Sequence, residues 1–205
     1  MKSPNYSRRE LMKMMSLTMV GSSVLPFFAK ASSNENLDYF DESPKAIHIK
    51  KGSGNAGVVG GMDIVFKLTK AQTGGHLGCD EVTMKPGFLG APPHLHKTFD
   101  EICYVLEGTI HIMVGDEVFE VNAGDWHLRP RGIVHTFWNS GPTTSKFIDL
   151  YVPGGHEQYM VDLASLFENN NRPKPEEMAS LANKFDITFN WDKLGAIVEK
   201  YKVHL

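Results

Sequence analysis

The residues best suited to chemistry in this sequence are three histidines and one glutamate, namely His94, His96, Glu101 and His135. Imidazole nitrogens and a carboxylate oxygen are common ligands of divalent first-row metals. His94 and His96 are two positions apart, so on a β-strand both side chains project from the same face of the sheet. We therefore predict that the four residues bind one metal ion.

The segments between these residues must turn the chain to bring the ligands together. Residues 97–100 are mostly polar and can turn the chain so that Glu101 lies on a neighbouring strand and faces the same interior. A Pro130-Arg131-Gly132 turn precedes the short apolar strand that carries His135, with Asn139 four residues later on the same face. Three imidazoles and one carboxylate leave one or two metal positions open, which is typical of a catalytic site.

Two motifs around these ligands resemble the signature motifs of the cupin superfamily. The first contains Gly87, His94, His96, Glu101 and Gly108, and the second contains Gly124, Pro130, Gly132, His135 and Asn139. The resemblance implies a mainly β fold, a cupin jelly-roll β-barrel, with His94, His96, Glu101 and His135 as metal ligands. The His-x-His pattern is not repeated, so the chain is predicted to contain a single cupin module.

Two further stretches, residues 73–87 (TGGHLGCDEVTMKPG) and 153–160 (PGGHEQYM), resemble the quercetin 2,3-dioxygenase-like group of small cupins. This resemblance implies a dioxygenase that acts on a small phenolic or enolic compound. The metal would be Fe, Mn, Ni or Cu, with Zn less favoured. The resemblance further implies that Glu101 is catalytic, both as a ligand and as acceptor of a proton from a substrate hydroxyl.

Two other function classes fit the same ligands. In one, the metal acts only as a Lewis acid, and the protein is an isomerase or hydrolytic enzyme for a small carbonyl compound or sugar. In the other, the protein is a non-enzymatic binder that holds a small molecule or a metal in the mouth of the barrel. Dependence on dioxygen would distinguish the first hypothesis from the others.

Alternating apolar residues and turn signals predict many short strands, and a later change to helical spacing predicts helices. The predicted strands include 62–69, 78–85, 94–96, 101–106, 109–114, 117–121, 135–138 and 146–152, with a hairpin turn at Gly115-Asp116 and turns at residues 52–54 and 57–61. The predicted C-terminal α-helices are 157–169, 175–185 and 191–201.

The N-terminal region resembles a twin-arginine export signal. Arg8 and Arg9 precede an apolar stretch, residues 14–28, that is shorter than the roughly 20 residues of a membrane-spanning helix. Ala29-Lys30-Ala31 is a small-x-small cleavage site. We predict a periplasmic protein without a membrane anchor after cleavage, with a signal peptide at 1–31, an extension at 32–60, a cupin barrel at 61–153 and a helical segment at 154–205.

Net charge limits the class of partner. Cleavage after Ala31 removes five basic residues and one acidic residue, so the formal charge changes from −3 to −7. A nucleic-acid partner is therefore not expected. The predicted partners are a small-molecule substrate, dioxygen and a second copy of the chain in a homodimer.

The remaining polar residues carry weaker signals. Cys79 and Cys103 are predicted to be buried thiols rather than a disulfide, although an exported protein permits either. Arg129 and Arg131 flank the second-motif turn and are predicted to be solvated, with binding of an anionic group as the alternative. His156 shows no ligand spacing and carries no predicted role.

Aromatic residues near the second motif are candidates for a pocket around a planar substrate, with ordinary barrel core as the alternative. These residues are Tyr104, Trp126, Phe137 and Trp138. His76, His111 and His127 lack ligand spacing and are predicted to lie at the surface or behind the ligands.

Overall fold

The computed structural model describes residues 45–171 and 173–205. The predicted signal peptide and residues 32–44 of the predicted extension lie outside the described residues. The β-strands are β1 (Asn55–Val59), β2 (Met62–Leu68), β3 (Gly78–Met84), β4 (Phe88–Leu89), β5 (His94–His96), β6 (Asp100–Glu107), β7 (Thr109–Val114), β8 (Glu117–Asn122), β9 (Trp126–Arg129), β10 (His135–Asn139), β11 (Ser145–Val152) and β12 (Ile187–Phe189). The α-helices are α1 (His156–Leu166), α2 (Pro175–Lys184) and α3 (Leu194–Tyr201).

The strands form two six-stranded sheets that face each other. The first has the order β1-β2-β3-β11-β6-β9. The second has the order β12-β5-β10-β7-β8, and β4 also pairs with β10. The pairings between these strands are antiparallel. This mainly β architecture with C-terminal helices is the predicted cupin jelly roll.

Because successive side chains of a strand point to opposite faces of the sheet, each sheet can present one apolar face to the interior. Along β3, the side chains of Asp80, Val82 and Met84 are buried, whereas those between them are only partly buried. Residues paired across strands share a face, so Val82 lies beside Phe147 of β11. The hydrophobic core between the sheets also contains Ile64, Val105, Ile110 and Ile112.

The predicted strands are confirmed to within about two residues at each end, but the turn predicted at residues 57–61 is confirmed only for Gly60 and Gly61. Residues 57–61 were expected to be a turn because they contain three glycines, whereas residues 55–59 form β1. This strand pairs with β2 through a tight turn at Gly60, which has a φ of +54°. Cross-strand hydrogen bonding along β2 therefore outweighs the low strand propensity of glycine. The sequence analysis did not predict β4, β9 and β12.

The three predicted C-terminal helices are also present, with shorter bounds. Helix α1 ends at Leu166 rather than at residue 169, and a short 3-10 turn follows at Glu168–Asn170. Pro175 begins α2, where its missing N–H leaves no hydrogen bond unmade. Trp191–Lys193 form a 3-10 turn before α3. Within residues 45–171 and 173–205, none of the helices is both long enough and apolar enough to span a membrane.

Candidate metal centre and its cavity

The four predicted ligands come together between the two sheets. His94 and His96 lie at the ends of β5, and His135 of β10 is the direct cross-strand partner of His94. Glu101 lies on β6 in the opposite sheet. One possible ligand atom from each of the four residues lies within 4.8 Å of the others, and all four residues are buried. The spacing-based prediction therefore corresponds to one compact cluster.

Local hydrogen bonds fix which imidazole nitrogens face the cluster. The Nδ1 atoms of His94 and His135 are each 2.9 Å from a main-chain carbonyl oxygen, of Pro92 and Ile133 respectively. Protonated Nδ1 atoms can donate to these carbonyls, which leaves a lone pair on each Nε2. The Nε2 atoms of His96 and His135 are buried and have no hydrogen-bond partner among the described residues. Unpaired buried nitrogens beside a carboxylate fit a divalent metal ion.

Burial favours the neutral form of two of the candidate ligands, His94 and His96. Burial and the nearby His135 lower the pKa of His94 to about 3, although Glu101 acts to raise it. Burial likewise lowers the pKa of His96. Because a protonated imidazole cannot bind a metal, these shifts keep the nitrogen lone pairs available.

A buried arginine holds the fourth ligand in its ionised form. Arg129 Nη1 lies 2.9 Å from Glu101 Oε2, and its Nη2 donates to Asp149 Oδ1. Burial alone would raise the pKa of Glu101, but Arg129 and the nearby His135 hold this pKa well below its usual value. The prediction that Arg129 is solvated is wrong, because this side chain is 1% exposed. Arg131 is exposed as predicted and pairs with Asp100.

The register of the first sheet explains why Arg129 is inside. Arg129 of β9 is paired with Glu101 of β6, which is paired with Tyr151 of β11, so the three side chains share the interior face. In the next row, Asp149 of β11 is paired with Asp80 of β3. Tyr151 donates a hydrogen bond of 2.9 Å to Asp80 Oδ2. The sequence signal for these buried groups is their position in step with apolar inward residues such as Phe147.

His156 is a site residue that the sequence analysis missed. This first residue of α1 is buried, and its Nε2 lies 3.6 Å from Glu101 Oε1. Its ring packs near Phe99 and Tyr151, with centroid distances of 4.9 and 4.6 Å. Burial lowers the pKa of His156 to about 4, so this imidazole is also neutral. Because His156 lies 55 residues after Glu101, local spacing could not connect the two.

A cavity of about 820 Å³ reaches this cluster. Its polar lining includes Asn171 and, besides it, His94, Glu101, Arg129, Asp149, Tyr151 and His156. Most other lining side chains are apolar, and several belong to the helical segment, including Tyr159, Met160 and Leu163 of α1. The arrangement can hold a mostly apolar small molecule with one polar end beside the four ligands.

The four aromatic residues that were candidates for a substrate pocket lie in three different environments, namely the cavity, the core and the surface. Phe137 lines the cavity, whereas Trp138 is fully buried in a second cluster with Ile197. Trp126 is 63% exposed and packs against Tyr104 on the outside of the barrel. Of the four candidates for an aromatic pocket, only Phe137 is in it.

The remaining polar residues singled out in the sequence analysis do not line the cavity. Asn139 is buried and donates hydrogen bonds to the carbonyl oxygens of Met84 and Thr143, so it holds the chain reversal after β10. His111 lies outside the barrel core, stacked on Trp138. Cys79 and Cys103 are both free thiols, as predicted.

Comparison with known proteins gives one family match in the central part of the chain. Residues 80–151 match the family model described as Cupin domain. The chain is 31% identical over 130 residues to Germin-like protein 5-1 of Oryza sativa subsp. japonica, a match that covers 61% of this chain and 57% of that protein. It is 32% identical over 77 residues to Germin-like protein subfamily T member 2 of Arabidopsis thaliana, covering 35% of this chain and 34% of the relative. The matches therefore span less than two thirds of either relative.

Among solved structures, KdgF from Halomonas sp. is similar to this chain with a TM-score of 0.48 and 20% sequence identity. The match covers 56% of this chain and 99% of KdgF.

Proposed function

We propose that this chain, whose residues 80–151 form a cupin domain, is a metal-dependent dioxygenase that acts on a small phenolic or enolic compound. A bound divalent metal would hold an oxygen of the substrate and supply the redox chemistry with dioxygen. The ligands would be His94, His96, Glu101 and His135, the cluster that lies within 4.8 Å. The metal identity we favour is Fe, Mn, Ni or Cu.

The observation that carries this proposal is the cavity of about 820 Å³ that reaches the ligand cluster. Its walls are mainly apolar, with Phe88, Phe137 and Phe189 among the lining side chains. Such walls favour a planar or largely apolar substrate because they offer few hydrogen bonds to a carbohydrate. The cavity therefore supports the phenolic or enolic class over a sugar.

The protein's own groups have separable roles in this proposal. His94 and His135 are oriented by their Nδ1 bonds to main-chain carbonyl oxygens, which fixes the direction of each Nε2. Glu101 would accept the proton of the substrate hydroxyl through the oxygen not held by Arg129. The apolar wall would exclude water from the reacting oxygen atoms.

The test is the metal content of the purified protein followed by oxygen consumption. We expect about one iron, manganese, nickel or copper ion per chain by elemental mass spectrometry, and its loss in His96→Ala, which removes one ligand. The matched control is His111→Ala, because His111 is stacked on Trp138 away from the cavity. This control should retain the metal.

Oxygen consumption with small phenols and enols would then separate the function classes. Turnover that stops under anaerobic conditions supports the dioxygenase. Turnover that continues without oxygen, particularly with zinc bound, would instead indicate the Lewis-acid isomerase or hydrolytic enzyme. Ligand binding without turnover under every metal would indicate a binding protein.

A further inference from the structure

The outer face of the first sheet is apolar over three neighbouring strands. Along β6, β9 and β11, inward side chains alternate with outward ones, and outward side chains of an antiparallel sheet with one solvated face are normally polar. Six of the outward side chains are instead large and apolar, and we call them the apolar patch: Ile102, Tyr104, Trp126, Leu128, Ile148 and Leu150. Water is therefore not the expected surrounding of this face.

Strand register makes the apolar patch continuous. Strand β6 lies between β11 and β9. The pairing aligns the patch in two rows of three, Ile148-Tyr104-Trp126 and Leu150-Ile102-Leu128. The rings of Tyr104 and Trp126 are in contact, with centroids 4.5 Å apart. Because the two rows are only two residues apart along each strand, about 7 Å, every member of the patch adjoins another.

The apolar patch has no partner in the core. None of its six members belongs to either hydrophobic core cluster of residues 45–171 and 173–205. On the outer face of the second sheet, by contrast, Met113 and Trp138 are buried in a cluster with Ile197 of α3. In the patch, Trp126 is 63% exposed and Leu128 is 53% exposed. A contiguous exposed group of large apolar side chains marks an interaction surface.

The charged groups at the border of the patch are paired within the chain. Glu81 of β3 is the cross-strand partner of Ile148, and its carboxylate lies 3.4 Å from Lys67 Nζ and 2.6 Å from Lys146 Nζ. Such a face does not attract a nucleic acid or another highly charged partner. It does allow two copies of a chain with a formal net charge of −3 to approach without like charges meeting.

The strands beneath the patch limit how a partner can bind. Strands β6 and β11 each pair with a neighbour on both sides, so their main-chain groups are not available to an added strand. The contact must therefore be made by side chains, as between two sheets that pack face to face about 10 Å apart. A second copy of the chain supplies an identical apolar sheet face.

The outer face is large enough to form the centre of a stable interface. Strands β2, β3, β11, β6 and β9, at about 4.8 Å spacing and with about five residues each, span roughly 400 Å² in the plane of the sheet. Side chains that stand out from this plane make the accessible area larger. Because a stable interface buries about 800 Å² per partner, the patch would be its apolar core and the charged side chains of β2 and β3 its polar rim.

We propose that this chain forms a homodimer in which the apolar patches of two copies pack face to face about a two-fold axis. A two-fold axis covers both patches in one contact and leaves neither exposed for further growth. Tyr104 and Trp126 are the aromatic anchors of this interface. The interface lies on the opposite face of the sheet from Glu101, so it does not depend on the proposed reaction.

Sedimentation velocity on the full chain, over a range of protein concentrations, measures the association. We expect a wild-type Kd of about 1 μM or tighter, the weak limit for an interface of about 1,600 Å² in total. Trp126→Glu and Leu128→Glu each place a carboxylate of both copies inside the contact and should raise Kd about 100-fold or more. The matched control is Val118→Glu, which changes an exposed apolar residue of β8 in the second sheet and should leave Kd unchanged.

Trp126→Ala is a milder variant that keeps the test valid if a glutamate disturbs folding. Because Trp126 is largely exposed, its truncation should leave the fold intact, yet it should raise Kd about 30-fold, the size of a hot-spot effect. Far-UV circular dichroism, urea denaturation and metal content are measured for every variant. All three should match wild type, because the patch and the metal ligands lie on opposite faces of the sheet.

Three outcomes would overturn the proposal. The first is a wild-type chain that stays monomeric at about 100 μM, whether solvent or residues outside the described range then cover the patch. The second is an unchanged Kd in the three patch variants, which would place the contact on another surface. All variants share the same N-terminal residues, so association through those residues would give this second outcome. The third is an equally large effect of Val118→Glu, which would show a general response to added charge.

Discussion

In the proposed function, Glu101 is the residue where metal binding and proton transfer would meet. One of its oxygens is held 2.9 Å from Arg129 Nη1, and the other lies 3.6 Å from His156 Nε2. The carboxylate thus has one side neutralised by a buried cation and one side toward the cavity. This asymmetry is consistent with a group that binds the metal and also faces the substrate.

Glu101→Gln tests the two roles. We expect the variant to keep much of its metal, because three histidines remain, but to lose turnover by a factor of about 100 or more, since an amide cannot accept the proton. Metal content and oxygen uptake are the measurements. Glu120→Gln, at an exposed position on β8, is the control and should behave as wild type. Unchanged turnover in Glu101→Gln would remove the proton role.

Asp80 makes the stability of the folded protein depend on pH. Burial, with smaller contributions from Asp149 and Glu157, raises the pKa of Asp80 to about 8, although the hydrogen bond from Tyr151 acts in the opposite direction. In the unfolded chain the pKa is about 3.9. The folded state therefore binds more protons than the unfolded state between about pH 4 and pH 8, so Asp80 causes stability to fall as pH rises through this window.

Asp80→Asn should remove this dependence. We expect the variant to unfold with a free energy about 1–3 kcal/mol higher than wild type at pH 7.5, and with little difference near pH 4. The measurement is urea denaturation of metal-free protein at several pH values. Asp63→Asn, at an exposed position, is the control. A constant difference between Asp80→Asn and wild type across the pH range would contradict the prediction.

At the scale of elements, the join between β11 and α1 brings His156 to the centre. Two glycines permit this join, because Gly78 admits the carboxylate of Glu157 and Gly154 admits the main chain of Leu77. The helical segment is therefore part of the site, since it supplies both a polar group and much of the apolar wall.

Gly78→Ala should disturb this join. The added Cβ would lie 2.1 Å from Glu157 Oε2, so the loop or the strand must shift. We expect a loss of about 1–3 kcal/mol in the free energy of unfolding and weaker binding of cavity ligands. The control is Gly195→Ala in α3, where a Cβ meets nothing within 4 Å and alanine favours the helix. Equal stability of Gly78→Ala and wild type by urea denaturation would argue against this tight contact.

Strand order also explains the free thiols. Cys79 of β3 and Cys103 of β6 lie on the two strands that flank β11, where they pair with Leu150 and Asp149 respectively. Two strand spacings amount to about 9–10 Å, beyond the reach of a disulfide. Burial raises the pKa of Cys79 to about 12, so its thiolate is also scarce.

We expect both thiols to react with Ellman's reagent only after unfolding. The native protein should show slow or no reaction, and the denatured protein should release two equivalents, one for each cysteine in the chain. Cys79→Ser and Cys103→Ser should each reduce the denatured value by one. A native protein without titratable thiols after denaturation would indicate a disulfide and an incorrect strand arrangement.

At the scale of the whole molecule, export and the homodimer remain predictions. Export through the twin-arginine route carries folded proteins, so the metal could be acquired before the protein meets competing copper and zinc. The folded cupin domain described above is compatible with this order of events.

Replacing Arg8 and Arg9 with lysine should stop delivery. We expect the wild-type chain, expressed in a bacterium with the twin-arginine route, to reach the periplasm with Ser32 as its first residue. Cell fractionation and mass spectrometry of the N-terminus are the measurements. Lys2→Arg is a control that keeps the charge outside the arginine pair. Normal periplasmic delivery of the double-lysine variant would count against the signal.

Sequence alone determined the candidate ligands and the fold class. His94, His96, Glu101 and His135 stand at motif spacing, and strand alternation sets which side chains share a face, so both are readable from short-range order. The buried arginine could have been inferred only from knowing that β9 exists and pairs with β6. The charge of Arg129 suggested a solvent-exposed side chain, but its register on β9 places this side chain in the interior.

Only the tertiary structure decided the rest of the site. His156, the cavity wall from α1 and the row containing Asp149 and Asp80 are brought together by strand order and by the docking of a later segment. These contacts join distant residues, such as Glu101 with His156, which are 55 positions apart, and Lys70 with Glu157, which are 87 positions apart. Periodicity reports the environment of a residue along its own element, but it carries no information on which distant element packs against it.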